Sequence, residues 1–420
     1  MKKRTLIIAE MLCENITNGV SRYSEMLYSG LPIDLYKISY IKFVFSHKII
    51  LPKCIIHKEY MELIVPLPIN SEEIIENSYW LSEFNRLVER IISPYLENDF
   101  IFHIQTMNLI SLAVFLRQEY NCKIVSHIHC IPWKYKYSSN QLLFNQIYYR
   151  LNIAGNVNES YLTHFVTSNE INIIRESDAI ICVTKSSKDY YERYLHAEPE
   201  KIFCIYNGIR DELCNSTLKE RFSIHTENDN PTHLLYVGNV TENKGFQFVL
   251  EALRKVSDIG YNYVLLVAGS VDDKIKEQIE QEYKNLNIKL LGHVDYSRLQ
   301  ELYKSADIGL ISSLFEQCSY VALEMMMHGL PVVYSGIEEL REVFGYNDNM
   351  NVPVKFTIYS GLGLDVDLFA DKIMKLMDSQ DLRREVGLIE RKRFNESFTQ
   401  DQMIQETIDV YNKLYQYEEE

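Results

Sequence analysis

Residues Ser313–Val333 read S-L-F-E-Q-C-S-Y-V-A-L-E-M-M-M-H-G-L-P-V-V, and the fold is decided by how this stretch is flanked. Apolar runs lie on either side, Asp307–Ile311 (D-I-G-L-I) and Pro331–Tyr334 (P-V-V-Y), and both predict buried strands. Between them the pattern predicts one short helix, Tyr320–His328. Ser319 stands at its N-cap, Gly329 at the C′ position, and Pro331 follows where a helix cannot continue. The N-terminus of such a helix offers unpaired N–H groups and positive dipole charge to an anion, a phosphate above all. Glu316 precedes the cap and Glu324 lies about one turn in. Carboxylates accept from hydroxyls, so a phosphate seat flanked by two of them suits a diphosphate with a sugar on each side. Taken alone, two glutamates at this spacing also fit a solvated loop and helix surface.

Composition bounds the rest. A chain of 420 residues is long for a single core and predicts two domains of about 200 residues each. Apolar residues make up 46% and charged residues 24%, as in a globular protein, and no apolar run reaches the length of a membrane span. Leu6–Ala9, after a basic start, is too short for a signal peptide and predicts a first strand in a cytoplasmic protein. The eight cysteines form no C-x-x-C pair, and several sit in apolar runs, which predicts reduced thiols. A formal net charge of −15 speaks against nucleic-acid binding. Residues 1–60 run against that trend, with nine Lys/Arg and five Asp/Glu. The basic-apolar stretch 40–58 fits either a peripheral contact with the inner membrane face or a partly buried hairpin with solvated lysines.

Along the chain, short apolar runs alternate with helical patterns. Strands are predicted at Thr5–Ala9, Ile33–Ile38, Leu63–Pro66, Phe100–Ile104, Lys123–Ile128, Ala179–Val183 and Lys201–Ile205, with helices between them, among them 71–93 and 141–151. The polar segment 207–232 breaks the pattern, which restarts at His233–Val237 and runs to a last helix over 399–417. The expected fold is α/β, two doubly wound Rossmann-like domains. The first covers 1–207 together with a C-terminal helix in 399–420, and the second covers 208–398. In such sheets ligands bind beyond the carboxyl ends of the strands.

Several candidate residues stand at those ends. Leu234–Leu250 reads strand, turn, helix, with Gly238 at the strand end and Lys244-Gly245 at the helix start. A lysine there can stabilise charge on a leaving diphosphate without a metal, although a surface lysine would look the same. Asn18-Gly19 marks a tight turn before the first helix, and Gly19 would let a ligand approach the backbone. His127 and His129 end a strand with i, i+2 spacing, better suited to a sugar hydroxyl than to a metal, since no further ligand cluster accompanies them. Asp365-Val366-Asp367 is a D-x-D that would suit a metal-dependent nucleotide-sugar site, but it falls at a helix start, where acidic residues favour the dipole, and reads as structural.

In order and spacing these pieces resemble the family-4 retaining glycosyltransferases of the GT-B fold. The resemblance rests on Asn18-Gly19, S-H-I-H at 126–129, Ser177–Ser187, Tyr206–Ile209, V-G-N-V-T-E-N-K-G, L-G-H-V, L-Y-K-S-A-D-I-G-L and the E-x7-E of Glu316 and Glu324. The form E-Q-C-S-Y-V-A-L-E-M-M-M-H-G is also similar to a bacterial subgroup encoded beside peptide-maturation genes. The resemblance implies two domains facing across a cleft, with the last helix crossing back to the first. It implies a nucleotide-sugar donor, a UDP-sugar ahead of a GDP-sugar, with no further cofactor and no metal, and a glycan, lipid or peptide acceptor. Carried over by position, Glu316 contacts the donor hexose, Glu324 the ribose and Lys244 the diphosphate. His129 sits over the transferred sugar, and Gly19 lies near the phosphates and the acceptor. Gln317, Cys318 and Ser319 offer backbone N–H groups, and Gly292, His293 and Val294 lie near the base. Asn239 stands beside Gly238 where the family usually has Arg, which removes a bidentate phosphate contact. Cys318-Ser319 replaces the usual Phe-Gly. The expected activity is metal-independent hexosyl transfer with retention. A non-catalytic GT-B partner subunit and a nucleotide-sugar epimerase on the same fold are the alternatives.

Overall fold

The computed structural model describes residues 3–13, 19–45, 51–67, 78–136, 168–213, 231–346, 349–357 and 361–416. The helix expected over 141–151, Asn18 of the Asn18-Gly19 turn and most of the polar 207–232 segment lie outside these residues. The chain divides into two compact units, one comprising Met1–Pro132, Leu151–Arg210 and Gln400–Glu420, the other Trp133–Arg150 and Asp211–Thr399.

The first unit is built on strands β1 (Arg4–Cys13), β2 (Tyr36–Phe45), β3 (Lys53–Ile56), β4 (Met61–Leu67), β5 (Asp99–Ile104), β6 (Asn121–Ile128), β7 (Ala179–Cys182) and β8 (Ile202–Cys204). Among the described residues they form one sheet in the order β3-β4-β2-β1-β5-β6-β7-β8. All pairings are parallel except that of the edge strand β3 with β4. Leu6–Ala9 of β1 are wholly buried because a central parallel strand is covered on both faces. The second strand starts later than the run Ile33–Ile38 suggests. Leu35 and Tyr36 both donate backbone bonds to Pro32 O, closing a turn that leaves Ile33 and Leu35 exposed. Tyr40, Ile41 and Phe43 of the basic-apolar stretch are core residues of β2, and Lys42 pairs with Glu62 at 2.7 Å. Farther along, Leu51 and Ile56 stand exposed.

The second unit holds β9 (Thr232–Val237), β10 (Tyr263–Ala268), β11 (Ile288–Gly292), β12 (Ile308–Ile311), β13 (Val332–Ser335) and β14 (Asn351–Val352). Their order is β11-β10-β9-β12-β13-β14, all parallel, and it reverses direction between β9 and β12. That reversal opens a crevice at the carboxyl ends of β9 and β12. The helix Phe246–Ile259 buries Phe246, Val249, Leu250, Leu253 and Val256, a stripe at helical spacing, and ends at Gly260 with φ +99°. Beyond β14, β15 (Val354–Thr357) and β16 (Gly361–Leu364) pair antiparallel as a separate two-stranded sheet, and Pro353 separates that pairing from β14.

The opening stretch folds as the helix Tyr320–Met327 between β12 and β13. Gly329 takes φ +61°, with Gly329 N–H donating to Met326 O and Leu330 N–H to Met325 O, a Schellman closure. Ser319 occupies the N-cap position with extended backbone, but its side chain accepts no cap bond. Residues 322–327 are all buried, so this helix is held by packing on every side, not by an amphipathic face. No helix among the described residues is long and apolar enough to cross a membrane.

Candidate functional site

In the second unit three neighbouring strands end in glycines with positive φ: Gly238 (+134°) after β9, Gly269 (+149°) after β10 and Gly292 (+67°) closing β11. They lock together stepwise, Gly238 N–H donating to Ala268 O at 2.9 Å and Gly269 N–H to Gly292 O at 2.8 Å. A Cβ on Gly269 would lie 2.1 Å from Gly238 O, whereas one on Gly238 would meet nothing within 4 Å. Gly238 therefore leaves an open face of backbone at the strand end. Asn239 is exposed, and its Oδ1 accepts from Ser270 N–H at 3.1 Å. His293 is exposed and Val294 half-buried beyond β11.

Across the crevice between β9 and β12, Lys244 Nζ donates to Glu316 Oε1 at 2.5 Å. Local turns fix both partners. Lys244 ends a 3-10 turn, and Gly245 follows at φ +62°, where a Cβ would lie 2.2 Å from Ser312 O. Ser312 Oγ donates to Lys244 O at 2.8 Å, Leu314 N–H donates to Asn243 O at 2.8 Å, and Ser313 Oγ donates to Glu316 Oε1 at 2.8 Å. The loop after β12 is thus sewn to the turn after β9. The side chains remain accessible, Lys244 36% and Glu316 13% exposed. A pair this wet contributes about 0–1 kcal/mol to stability, so its value lies in holding an ammonium and a carboxylate side by side. Gln317, Cys318 and Ser319 are buried behind them. Glu324 is 1% exposed, and its Oε2 accepts from the Tyr303 hydroxyl at 2.7 Å.

The first unit carries the other candidates. At the carboxyl ends of β1, β5 and β6 lies a pocket of about 290 Å³ lined in part by Met11, Val20, Gln105, Thr106, His127 and His129. Gln105 is pinned by its N–H to Ala9 O at 2.8 Å, and Thr106 Oγ1 accepts from Met11 N–H at 3.1 Å. His129 Nε2 meets Gln105 Oε1 at 2.8 Å, and its ring stacks on His127 with centroids 4.3 Å apart at 14°. Burial draws the His129 imidazole down to about 3, so it is neutral at pH 7. Gly19 is exposed and is the first residue of the helix Gly19–Gly30.

Lys244 and Glu316 are brought into contact; His127, His129 and Gly19 belong to the first unit, and Gly238, Asn239, His293, Val294, Gln317, Cys318, Ser319 and Glu324 to the second. Sequence reasoning passed over Ser312, Ser313, Gly269, Tyr303, His103 and Gln105. A signal existed for Gly269, since A-G-S follows β10 as V-G-N follows β9. None existed for Gln105, an ordinary amide in sequence. Asp365-Val366-Asp367 is structural: Asp365 caps its helix by accepting from Leu368 N–H at 3.2 Å, and Asp367 pairs with Lys255.

Two doubly wound parallel sheets in two units make this a GT-B protein. Residues 55–213 match the family described as Glycosyltransferase Family 4, and residues 219–393 match Glycosyl transferases group 1. The chain belongs to these family-4-type glycosyltransferases. An uncharacterized glycosyltransferase of Methanocaldococcus jannaschii is 28% identical over 243 residues, 56% of this chain and 60% of the relative. The matched segments thus span less than two thirds of the curated relatives' length. The fold is shared with sucrose-phosphate synthase from Thermosynechococcus elongatus, at a TM-score of 0.73 and 19% identity over 99% of this chain and 100% of that one. It is also shared with Anabaena HepE in complex with UDP and glucose, at 0.64 and 12% over 96% and 99%.

Proposed function

We propose that the protein transfers a hexose from a nucleoside-diphosphate sugar, a UDP-sugar ahead of a GDP-sugar, to a hydroxyl or similar nucleophile of a glycan, lipid or peptide, with retention and without a metal or further cofactor. The observation that carries this reading is the Lys244–Glu316 contact at the reversal point of the second sheet. On donor binding the two groups exchange partners. Lys244 turns to a diphosphate oxygen, and Glu316, held by Ser313, accepts from a hexose hydroxyl. The ammonium then stabilises negative charge as the C1–O bond to the diphosphate breaks. The acceptor oxygen bonds to C1 on the same face, and its proton passes to the departing phosphate oxygen. No enzymic nucleophile is needed, in contrast to the carboxylate pair of a retaining hydrolase. Gly238 offers backbone to the phosphates, Gln317–Ser319 their N–H groups, Glu324 meets the ribose, and His293 and Val294 lie by the base. The HepE structure with UDP and glucose supports the donor class. Among the described residues of the basic stretch, Tyr40, Ile41, Phe43 and Val44 are buried, and Leu51–Lys58 is the part that a cytoplasmic protein could set against a membrane or a lipid-borne acceptor.

The test is release of free nucleotide from a panel of nucleotide sugars. Lys244→Ala and Glu316→Ala should each lower it about 100-fold or more with the thermal midpoint unchanged; full activity in either variant overturns the assignment. A second reading, a GT-B subunit that serves a partner enzyme, is favoured by Asn239, whose side chain is engaged with Ser270 and supplies no cation. It predicts no nucleotide release from any donor, and interconversion of the donor sugar would instead identify an epimerase.

A further inference from the structure

A line of hydrogen-bonding rings runs from the last helix of the chain to the pocket of the first unit. Tyr411 OH lies 2.6 Å from His103 Nδ1, and His103 Nε2 lies 3.3 Å from His127 Nδ1. Tyr411 and His103 are wholly buried, and His127 is 1% exposed. The phenol sets the direction. Its hydrogen has His103 Nδ1 as its acceptor among the described residues, and a buried hydroxyl that fails to donate costs about 1–3 kcal/mol. Burial keeps His103 neutral, so it carries one proton, and with Nδ1 accepting, that proton is on Nε2. It donates to His127 Nδ1, which places the single proton of a neutral His127 on Nε2. His127 Nε2 has no hydrogen-bond partner among the described residues, and His127 lines the pocket. Gln105 makes a matching arrangement. Its Oε1 accepts from His129, and its buried Nε2 amide is likewise without a partner and belongs to the same pocket wall. Two residues lining a pocket whose described lining carries no Lys, Arg, Asp or Glu thus each hold a buried donor without a partner among the described residues, and they call for a ligand with neutral, hydrogen-bond-accepting oxygens.

We propose that Tyr411 and His103 are positioning residues that hold His127 in its Nε2–H tautomer, so that His127 and the Gln105 amide together bind a hydroxyl or ring oxygen of an uncharged sugar. The identity of the ligand rests on the glycosyl-transfer reading; the tautomer does not.

The experiment is ¹⁵N spectroscopy of the full-length chain labelled at histidine, with His127 assigned by comparison with His127→Gln. The expected wild-type state is protonated Nε2 and bare Nδ1. Tyr411→Phe, which removes the donor and keeps the ring, should mix the two tautomers of His127. A wild-type His127 protonated at Nδ1, or a tautomer unmoved by Tyr411→Phe in a folded variant, overturns the relay. If that variant does not fold, the wild-type tautomer alone decides. Addition of UDP-glucose or of methyl α-glucoside identifies the source of the sugar. A shift of His127 Nε2 with the first assigns the transferred hexose, with the second the acceptor, and with neither the sugar site is refuted. Loss of nucleotide release in Lys244→Ala has no bearing on the tautomer, so failure of the catalytic reading and failure of this one are separable.

Discussion

His103 has no access to water, and burial lowers its imidazole from 6.5 to about 3. The unfolded chain therefore binds a proton below about pH 6.5 that the folded chain refuses until about pH 3. The stability this group confers is full above pH 6.5 and is lost as the pH falls toward 3, at up to about 1.4 kcal/mol per pH unit. His127 acts in the same sense, while Glu10 and Glu390, whose carboxyls burial raises, act in the opposite one. The prediction is accordingly a difference. Urea melts at pH 7.5, 6.5 and 5.5 should show His103→Gln less acid-sensitive than wild type by about one proton's slope; parallel curves would mean that His103 titrates normally. Asn239 offers a second residue-scale test. Asn239→Arg gives up one neutral bond to Ser270 N–H and adds a phosphate-matching guanidinium. Calorimetric titration with UDP should give about tenfold tighter binding if the position faces the diphosphate, and unchanged affinity would place it elsewhere.

At the scale of elements, the strand ends of the second sheet separate two glycines that look alike in sequence. Both take positive φ, so alanine at either costs about 1–2 kcal/mol of backbone strain. Only at Gly269 does the new Cβ also run into a backbone carbonyl, 2.1 Å away, with the same true of Gly245 against Ser312 O at 2.2 Å. Gly269→Ala and Gly245→Ala should each lose more than about 3 kcal/mol in chemical denaturation, while Gly238→Ala should lose about 1–2. Equal losses at 238 and 269 would contradict the interlocked strand ends. Gly238 and Gly245 were read from the sequence while Gly269 was passed over, and the helix expected over Tyr320–His328 with its Gly329 closure forms over Tyr320–Met327. Which glycine is crowded was not visible in the sequence, because the crowding atom belongs to the neighbouring strand. The Ser319 cap shows the converse: the residue type marked the helix start correctly, yet the side chain makes no cap bond, since packing already holds the helix.

For the whole molecule, the last helix, Gln400–Gln416, belongs with the first unit although the second unit precedes it in sequence. Gln400 Nε2 donates to Met26 O at 2.8 Å, Gln400 N–H to Ile209 O at 2.9 Å, and Arg4 to Asn412 Oδ1 at 2.8 Å. A Cβ on Gly30 would sit 2.9 Å from Ile404, so the two helices meet in close contact. Truncation after Thr399 uncovers that face and removes Tyr411 from His103. Thermal unfolding followed by peptide-resolved hydrogen exchange should show β1, β5 and β6 losing protection while β9 and β12 keep theirs. Retained protection in both sheets would mean that the first unit closes without this helix.

By itself the sequence determined the alternation of strands and helices, Gly238 at a strand end, a short helix after Ser319 closed by Gly329 and the family motif, because each is written in residues near one another in the chain. Tertiary structure alone decided which polar atoms meet. Lys244 and Glu316 are 72 residues apart, and His103 and Tyr411 are 308 apart. Their contacts depend on strand order and on where the last helix docks. Hydrophobic periodicity says which face of an element is buried; it does not say against what.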